Sequence, residues 1–463
     1  MRQTGGPALA ARQPPEGNLR PTYPFVACFG QQWSKTIPAA ENALTHYQRA
    51  EELFKQHVLV NEEIEGTESG DFLQSVVYNY HPADTATVEY IRDETAEAPD
   101  RTARESLDSF LARHQEQLQE LRAGAAQKTL YIDRSVQEEA NPNGEIRFPL
   151  YGHSAGLLSL DARWQLSQGH VGRAVQDANA LFAGGRQVTK CYGFIGELVA
   201  CSDFAIGVGH VIQPILNDPQ VNAEALAQIE LPPAFWLEMQ FGPAMVFDED
   251  KMVGKIAQFP AWDWNGFSQK GRGHNEFYEH WYAGSLVRML AMPDALVLYR
   301  YRAAECRSLT NVPYCKRNEE AVRNFAKATP AHLRFERVGD GGDLTGWWQI
   351  TGGDAYVSAA AAAVAVVRYR LSHGKYPARL EDCVPEFLAA VPTDPCDGQP
   401  IRMKALEGGM ILYSVGSDGK DDGGQDEYGL TGDENSDNAV YLGSAYQDHL
   451  ERVRKQQEKW DRR

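Results

Sequence analysis

Apolar residues recur at helical spacing along most of the chain and alternate as in strands only near its C-terminus. From Ala39 to His57, Leu44, Tyr47, Leu53 and Phe54 fall on one side of a predicted helix. Residues 99–125 predict a charged amphipathic helix with Leu107, Phe110, Leu111, Leu118 and Leu121 on its apolar side. The stretch LLSLDARWQLSQGHVGRAVQDANALFAG (157–184) predicts two helices broken at Gln168-Gly169. Leu157, Leu158, Leu160, Ala162 and Leu166 belong to the first, and Val171, Ala174, Ala178 and Leu181 to the second. The same pattern predicts a helix over 193–215 and a proline-bounded one over 222–228. Further helices are predicted near 232–255, 274–290 and 317–327. One helical hairpin of this kind is similar to a tetratricopeptide unit, but no second copy follows at a fixed period, so a solenoid is not expected.

The pattern changes after Gly339-Asp-Gly-Gly-Asp343 and again at Gly352-Gly353-Asp354. Beyond that point a helix is predicted over 355–372, ended by His373-Gly374, and a short one near 380–388. A hairpin follows, IRMKAL (401–406) and MILYSV (410–415), turning at Glu407-Gly408-Gly409. A loop rich in Gly and Asp occupies 416–438, and AVYLG (439–443) predicts a last strand. The expected class is α+β. A disordered tail is expected over 1–22, a mainly helical region over 23–353, an α+β domain over 354–445, and a charged helix or tail over 446–463.

Charge narrows the partners. With 45 Lys plus Arg against 63 Asp plus Glu, the net charge of −18 repels phosphate backbones, so nucleic acid is not an expected partner. The longest apolar run, YVSAAAAAVAVV (356–367), falls short of the roughly 20 residues of a membrane span, so no span is expected. The first residues lack the apolar region of a signal peptide. The seven cysteines form no C-x-x-C pair, which argues against a zinc ribbon or thioredoxin-like site.

Three stretches carry candidate chemistry. Gly152-His153-Ser154-Ala155-Gly156 spells G-x-S-x-G, the motif of a nucleophile elbow. That elbow needs a buried central strand before it, yet the preceding IRFPLY holds Arg147 and Pro149, and proline cannot donate to a sheet ladder. Helices follow in place of alternating strands, so Ser154 is expected to cap a helix starting at Ala155. His210, His274, His280, His332 and His373 are the histidines available as a base, and none is favoured. His274, Glu276 and His280 resemble a metal cluster without matching its spacing, and an amphipathic helix accounts for them better. A hydrolase at Ser154 or a metalloenzyme at His274/Glu276/His280 is the alternative functional reading. The loop 417–437 is richer: it holds Asp418, Asp421, Asp422, Asp426, Glu427, Asp433, Glu434 and Asp437, with glycines that let the backbone bend. Calcium takes six to eight oxygens in flexible geometry, which such a loop supplies.

Read whole, residues 355–443 resemble the globular part of the major pseudopilin of type II secretion systems. The resemblance rests on Tyr369-x-x-x-x-Gly374-x-Tyr376-Pro377, Val391-Pro392-x-Asp394-Pro395 and Tyr413-Ser414-x-Gly416-x-Asp418-Gly419, in that order. It implies a long helix packed on a small antiparallel sheet, with a structural calcium ion in the loop after the Tyr-Ser-x-Gly strand. The ligands it implies are the Val415 carbonyl and Asp418, then Asp433 and Asp437, with Asp422 as a further choice. Pseudopilins begin with an apolar polymerising helix, whereas here the polar LTGWWQITGGD precedes the domain, so incorporation into a pseudopilus is not expected. Cys396 stands where such domains usually have an aromatic residue, which raises a Cys383–Cys396 disulfide as a hypothesis. The whole chain also resembles planctomycete-type proteins that join a helical domain to this end. The Asn42-Ala43-x-x-x-Tyr47-x-x-Ala50 helix and the 157–182 hairpin carry that likeness. Together these imply a non-enzymatic binding or scaffold protein of the cell envelope or periplasmic side, with protein partners there.

Overall fold

The computed structural model describes residues 41–62, 107–130, 153–189, 193–237, 347–416, 418–425 and 437–461. All belong to one compact unit made of residues 36–244, 309–317 and 338–463. The helices predicted near 274–290 and 317–327, most of the one near 232–255, and the N-terminal tail lie outside the described residues.

The helical layers follow the apolar pattern closely. Helix α1 (Ala43–Glu62) lies against α3 (Gln115–Ala126), which the short α2 (Leu107–Arg113) precedes. The predicted single helix over 99–125 is therefore divided at His114, although all five of its expected apolar residues are buried. The predicted hairpin forms as α4 (His153–Ser167) and α5 (Val171–Val188), with its turn at Gln168-Gly169 as expected. Polar ties cross these layers. Gln187 on α5 accepts from the Tyr47 hydroxyl at 2.5 Å and donates to the Gln127 carbonyl at 2.6 Å. Arg122 on α3 bridges Asp177 on α5 at 2.7 Å and Asp161 on α4.

A long apolar rod comes next: α6 (Gly193–Ile206), a π-helical stretch (Gly207–Ile212) and α7 (Gln213–Asn217), followed by the short α8 (Ala223–Ala227). The Asn222 side chain caps α8 by accepting from the Ala225 N–H at 2.9 Å. The predicted 193–215 helix thus forms, with its hydrogen bonding widened in the middle.

The helix predicted over 355–372 is longer than expected. It is α9 (Trp347–His373), and it runs without a break through Gly352-Gly353-Asp354, so the expected boundary at 353/354 falls inside it. The reason is tertiary. A Cβ at Gly353 would lie 2.8 Å from the Cys201 sulfur and 2.7 Å from Leu237 Cδ1, so glycine is what lets α9 approach α6 this closely. The segment predicted as a short helix over 380–388 is a single 3-10 turn, Leu380–Cys383.

Strands β1 (Arg402–Leu406), β2 (Gly409–Ser414) and β3 (Asn438–Gly443) form an antiparallel sheet in the order β1-β2-β3. Leu406 pairs with Gly409 across the hairpin, and Tyr413 pairs with both Arg402 and Ala439. Strand β2 is buried throughout, and so is most of β3, because helices cover both sheet faces. Ile411, Tyr413, Ala439 and Tyr441 pack with Ala445 of α10 (Ser444–Asp461), while α9 packs on the other face. The architecture is α+β, with α9 sandwiched between the helical layers and the sheet.

Among the described residues, two helical stretches, Gly196–Asn217 and Ile350–His373, are long and apolar enough to cross a membrane by length and composition, contrary to the expectation from contiguous apolar runs. Both are mostly buried inside the fold, α9 along most of Ile350–Val367 before its exposed last turn, as core helices of a layered protein are.

Candidate functional site

The acidic loop starts from a tightly bonded base. Asp394, in the Val-Pro-Thr-Asp-Pro turn, is fully buried. Its Oδ1 accepts from the Cys396 N–H at 2.9 Å and the Ser414 hydroxyl at 2.7 Å. Its Oδ2 accepts from the Val415 N–H at 3.0 Å and from Arg402 at 2.9 Å. Burial pushes the Asp394 carboxyl upward, and the Ser414 and backbone donors oppose it. This aspartate pins the end of β2 where the loop departs, a role that its motif position alone does not reveal.

Arg402, on β1, gathers three carboxylates: Asp394, Asp397 at 2.5 Å and Asp421 at 3.4 Å. The Tyr413 hydroxyl donates to Asp421 at 3.1 Å, and burial followed by that carboxylate pushes the phenol up to about 12. Across the loop base the Tyr441 hydroxyl donates to the Gly424 carbonyl at 3.0 Å.

The five expected calcium ligands part company here. Asp437 is 1% exposed, and its carboxylate accepts from the Gly424 N–H at 2.7 Å and the Asp422 N–H at 3.5 Å. Gly424 presents that N–H from a backbone with φ +79°, which favours glycine. Burial raises the Asp437 carboxyl to about 6, and the nearby Asp422 and Asp421 add to the effect. Asp422 is thus brought beside Asp437. Asp418 faces a different partner: its two oxygens accept from the Lys420 backbone N–H at 2.9 Å and the Lys420 ammonium at 2.8 Å. Val415 is buried, with its N–H on Asp394. Asp433 lies outside the described residues. Among the described residues, no three His, Cys, Asp or Glu side chains converge as a metal-holding group, and Asp437 and Asp422 have no ion-pair partner.

The expected disulfide is absent. Cys383 and Cys396 are both buried free thiols. Cys396 packs on Ala355 and Val415. The Cys383 carbonyl instead accepts from the N–H of Phe387, whose ring meets Tyr369. Fourteen helical residues separate Ala355 from Tyr369, roughly 20 Å along α9, whereas bridged cysteines have Cα atoms within about 7 Å. Burial pushes the Cys383 thiol up to about 11.

Ser154 is 1% exposed and stands inside the first turn of α4, which begins at His153 and not at Ala155. It is therefore a first-turn residue and not the cap that the sequence pattern suggests. Its hydroxyl is shielded from solvent. His210 is buried in the π-helical stretch, and His373 is exposed, stacked on Tyr369 at 4.1 Å. His274, Glu276, His280 and His332 lie outside the described residues.

A second polar cluster escaped the sequence pattern. Glu197, Asp203 and Asp354 are all buried, on and around the rod formed by α6. Asp354 accepts from the Leu237 N–H at 3.1 Å. Burial and the neighbouring Asp354 push the Cys201 thiol up to about 12, and burial holds the Asp203 carboxyl well above its ordinary range. The run GELVACSDFAIGVGH is so apolar that its acids read as the solvent side of a helix, yet neighbouring layers cover that side.

No family model matches this chain, and no curated protein or solved structure matches it either.

Proposed function

We propose that this chain is a non-enzymatic binding or scaffold protein of the bacterial cell envelope, with a secretion-pseudopilin-like end and a structural calcium loop. The observation that carries the scaffold reading is the enclosure of α9. In the family that residues 355–443 resemble, the long helix serves assembly. Here its two sides are occupied by α6 and by the sheet of the same chain. The helical region also completes the sheet: Gln213 and Asn217 bond to the backbone of β3 at 2.9, 2.9 and 2.8 Å. A helix enclosed in this way stiffens a body and leaves the outer surfaces for partners.

Asp437 supports the calcium reading. It is a buried carboxylate with acidic neighbours and no ion pair among the described residues, an environment that a divalent ion would neutralise. Asp437 and Asp422 are the side chains that would hold it. Asp418 joins them only by releasing Lys420. The ion would neutralise the loop and order it, and would supply no chemistry. Thermal melting tests this. Calcium should raise the melting temperature of the wild type, chelator should reverse the rise, and Asp437→Asn should abolish the response. An identical melting temperature with calcium and with chelator would remove the ion from the proposal. Absence of fluorophosphonate labelling at Ser154 in folded protein is the matching expectation for a non-enzymatic chain.

A further inference from the structure

Residues 355–380 contain Arg368, Arg370, Lys375 and Arg379 and no carboxylate, and Glu381, Asp382 and Glu386 follow beside Arg379 and Phe387, in a chain whose acids outnumber its bases 63 to 45. These cations gather where α9 ends. Arg379 pairs with Asp382 at 3.1 Å, but among the described residues Arg368, Arg370 and Lys375 form no ion pair. Many described cations are ion-paired, as Arg49 is with Glu116, Arg122 with Asp177, Arg402 with Asp394, Lys420 with Asp418 and Arg454 with Glu451; Lys128, Arg173, Lys404 and Arg452 are not, but they are scattered over four elements or loops.

Two of the three unpaired cations are held by aromatic rings. The Arg368 guanidinium lies 5.5 Å from the centre of the Phe387 ring, which meets Tyr369 and His373 edge-on. Arg370 lies 5.2 Å from the Tyr376 ring and donates to its hydroxyl at 2.9 Å. Ring contact restricts a guanidinium without consuming all of its N–H donors, so the remaining ones are oriented in advance for a planar anion such as a carboxylate. Lys375 is exposed beside them.

We infer that this tip docks an acidic, Asp/Glu-rich segment of a partner polypeptide. Charge complementarity selects the occupant: the chain's net charge repels such a segment, and here three cations without ion pairs fall within eight residues, two of them held by rings. A bilayer fits less well, because the exposed large apolar side chains among the described residues are Leu371 and Leu406, on different elements. The inference rests on the binding-protein reading and names the class of partner.

The test uses the full chain and a fluorescein-labelled deca-glutamate peptide, followed by anisotropy. Saturable binding is expected, weakening as salt rises, with a deca-lysine peptide inert. Arg368→Gln combined with Arg370→Gln should weaken binding by roughly tenfold. Lys375→Glu, at an exposed position, should weaken it severalfold at an unchanged melting temperature, which guards against a folding artefact in the double variant. Absence of saturable binding, or equal affinity in all variants, overturns the inference. So does binding to phosphatidylglycerol vesicles without binding to the peptide, or self-association that the same variants abolish. Chelator should not alter peptide binding. A failed peptide titration beside an intact calcium response would therefore end this inference and leave the calcium loop standing.

Discussion

Two adjacent glycines in α9 face different surroundings, and the contrast can be measured. A Cβ at Gly353 would press on Cys201 and Leu237 below 3 Å, whereas one at Gly352 would meet only Asn438, at 3.8 Å. Gly353→Ala should therefore destabilise the protein by about 1–3 kcal/mol. Gly352→Ala should be neutral or stabilise by up to about 1 kcal/mol through helix propensity. Urea unfolding of the two variants checks the pair, and equal effects would refute the close approach. Asp437 makes a second residue-level prediction. Its folded-state carboxyl titrates near 6, above the 3.8 of an ordinary aspartate, so the folded state binds the extra proton between those values. Without calcium, stability should fall as pH rises from about 4 to about 6 and then level off. Asp437→Asn should flatten that slope in melting curves taken across the window. None of this could be read from residue types. Gly-Gly-Asp looks like a helix break until its neighbours are known, and the family resemblance picks out Asp437 without revealing its burial.

Elements were legible where a single face decided them. The 107–121 apolar stripe forms as the spacing predicts, because one side of α2 and α3 is buried; the 157–184 hairpin forms too, although α4 is buried all round from Ser154 to Ala162. The site was only partly legible. The loop and its hairpin stand where the alternation and glycines place them, but Asp394, Arg402 and Asp421 join through distances in space that local pattern does not encode. The covering of β3 is a further case. Asn217 donates to the Tyr441 carbonyl and accepts from the Gly443 N–H, over a separation of more than 220 residues. Asn217→Leu should leave both backbone groups without partners, at roughly 1–3 kcal/mol each. Gln213→Leu should strand the Tyr441 N–H alone and cost less. Denaturant midpoints of the two variants, compared with the wild type, test that ordering.

At the scale of the molecule, α9 makes the helical layers and the sheet one structure. Its buried residues on both sides mean that neither half can leave without exposing the other. Amide hydrogens in α5 and in β2 should accordingly gain exchange at the same denaturant concentration, as members of one cooperative unit. Separate protection curves would show that the sheet is an autonomous domain joined by a tether. The amide side chains on β3 carry one more consequence. By bonding to the outer backbone of that strand, Gln213 and Asn217 make the sheet one-ended. Among the described residues, the edge left open to a further strand is that of β1, where Arg402 and Lys404 are already committed to Asp394 and to the Gly423 carbonyl. Any growth of this sheet therefore has a single direction, and it passes over the base of the acidic loop.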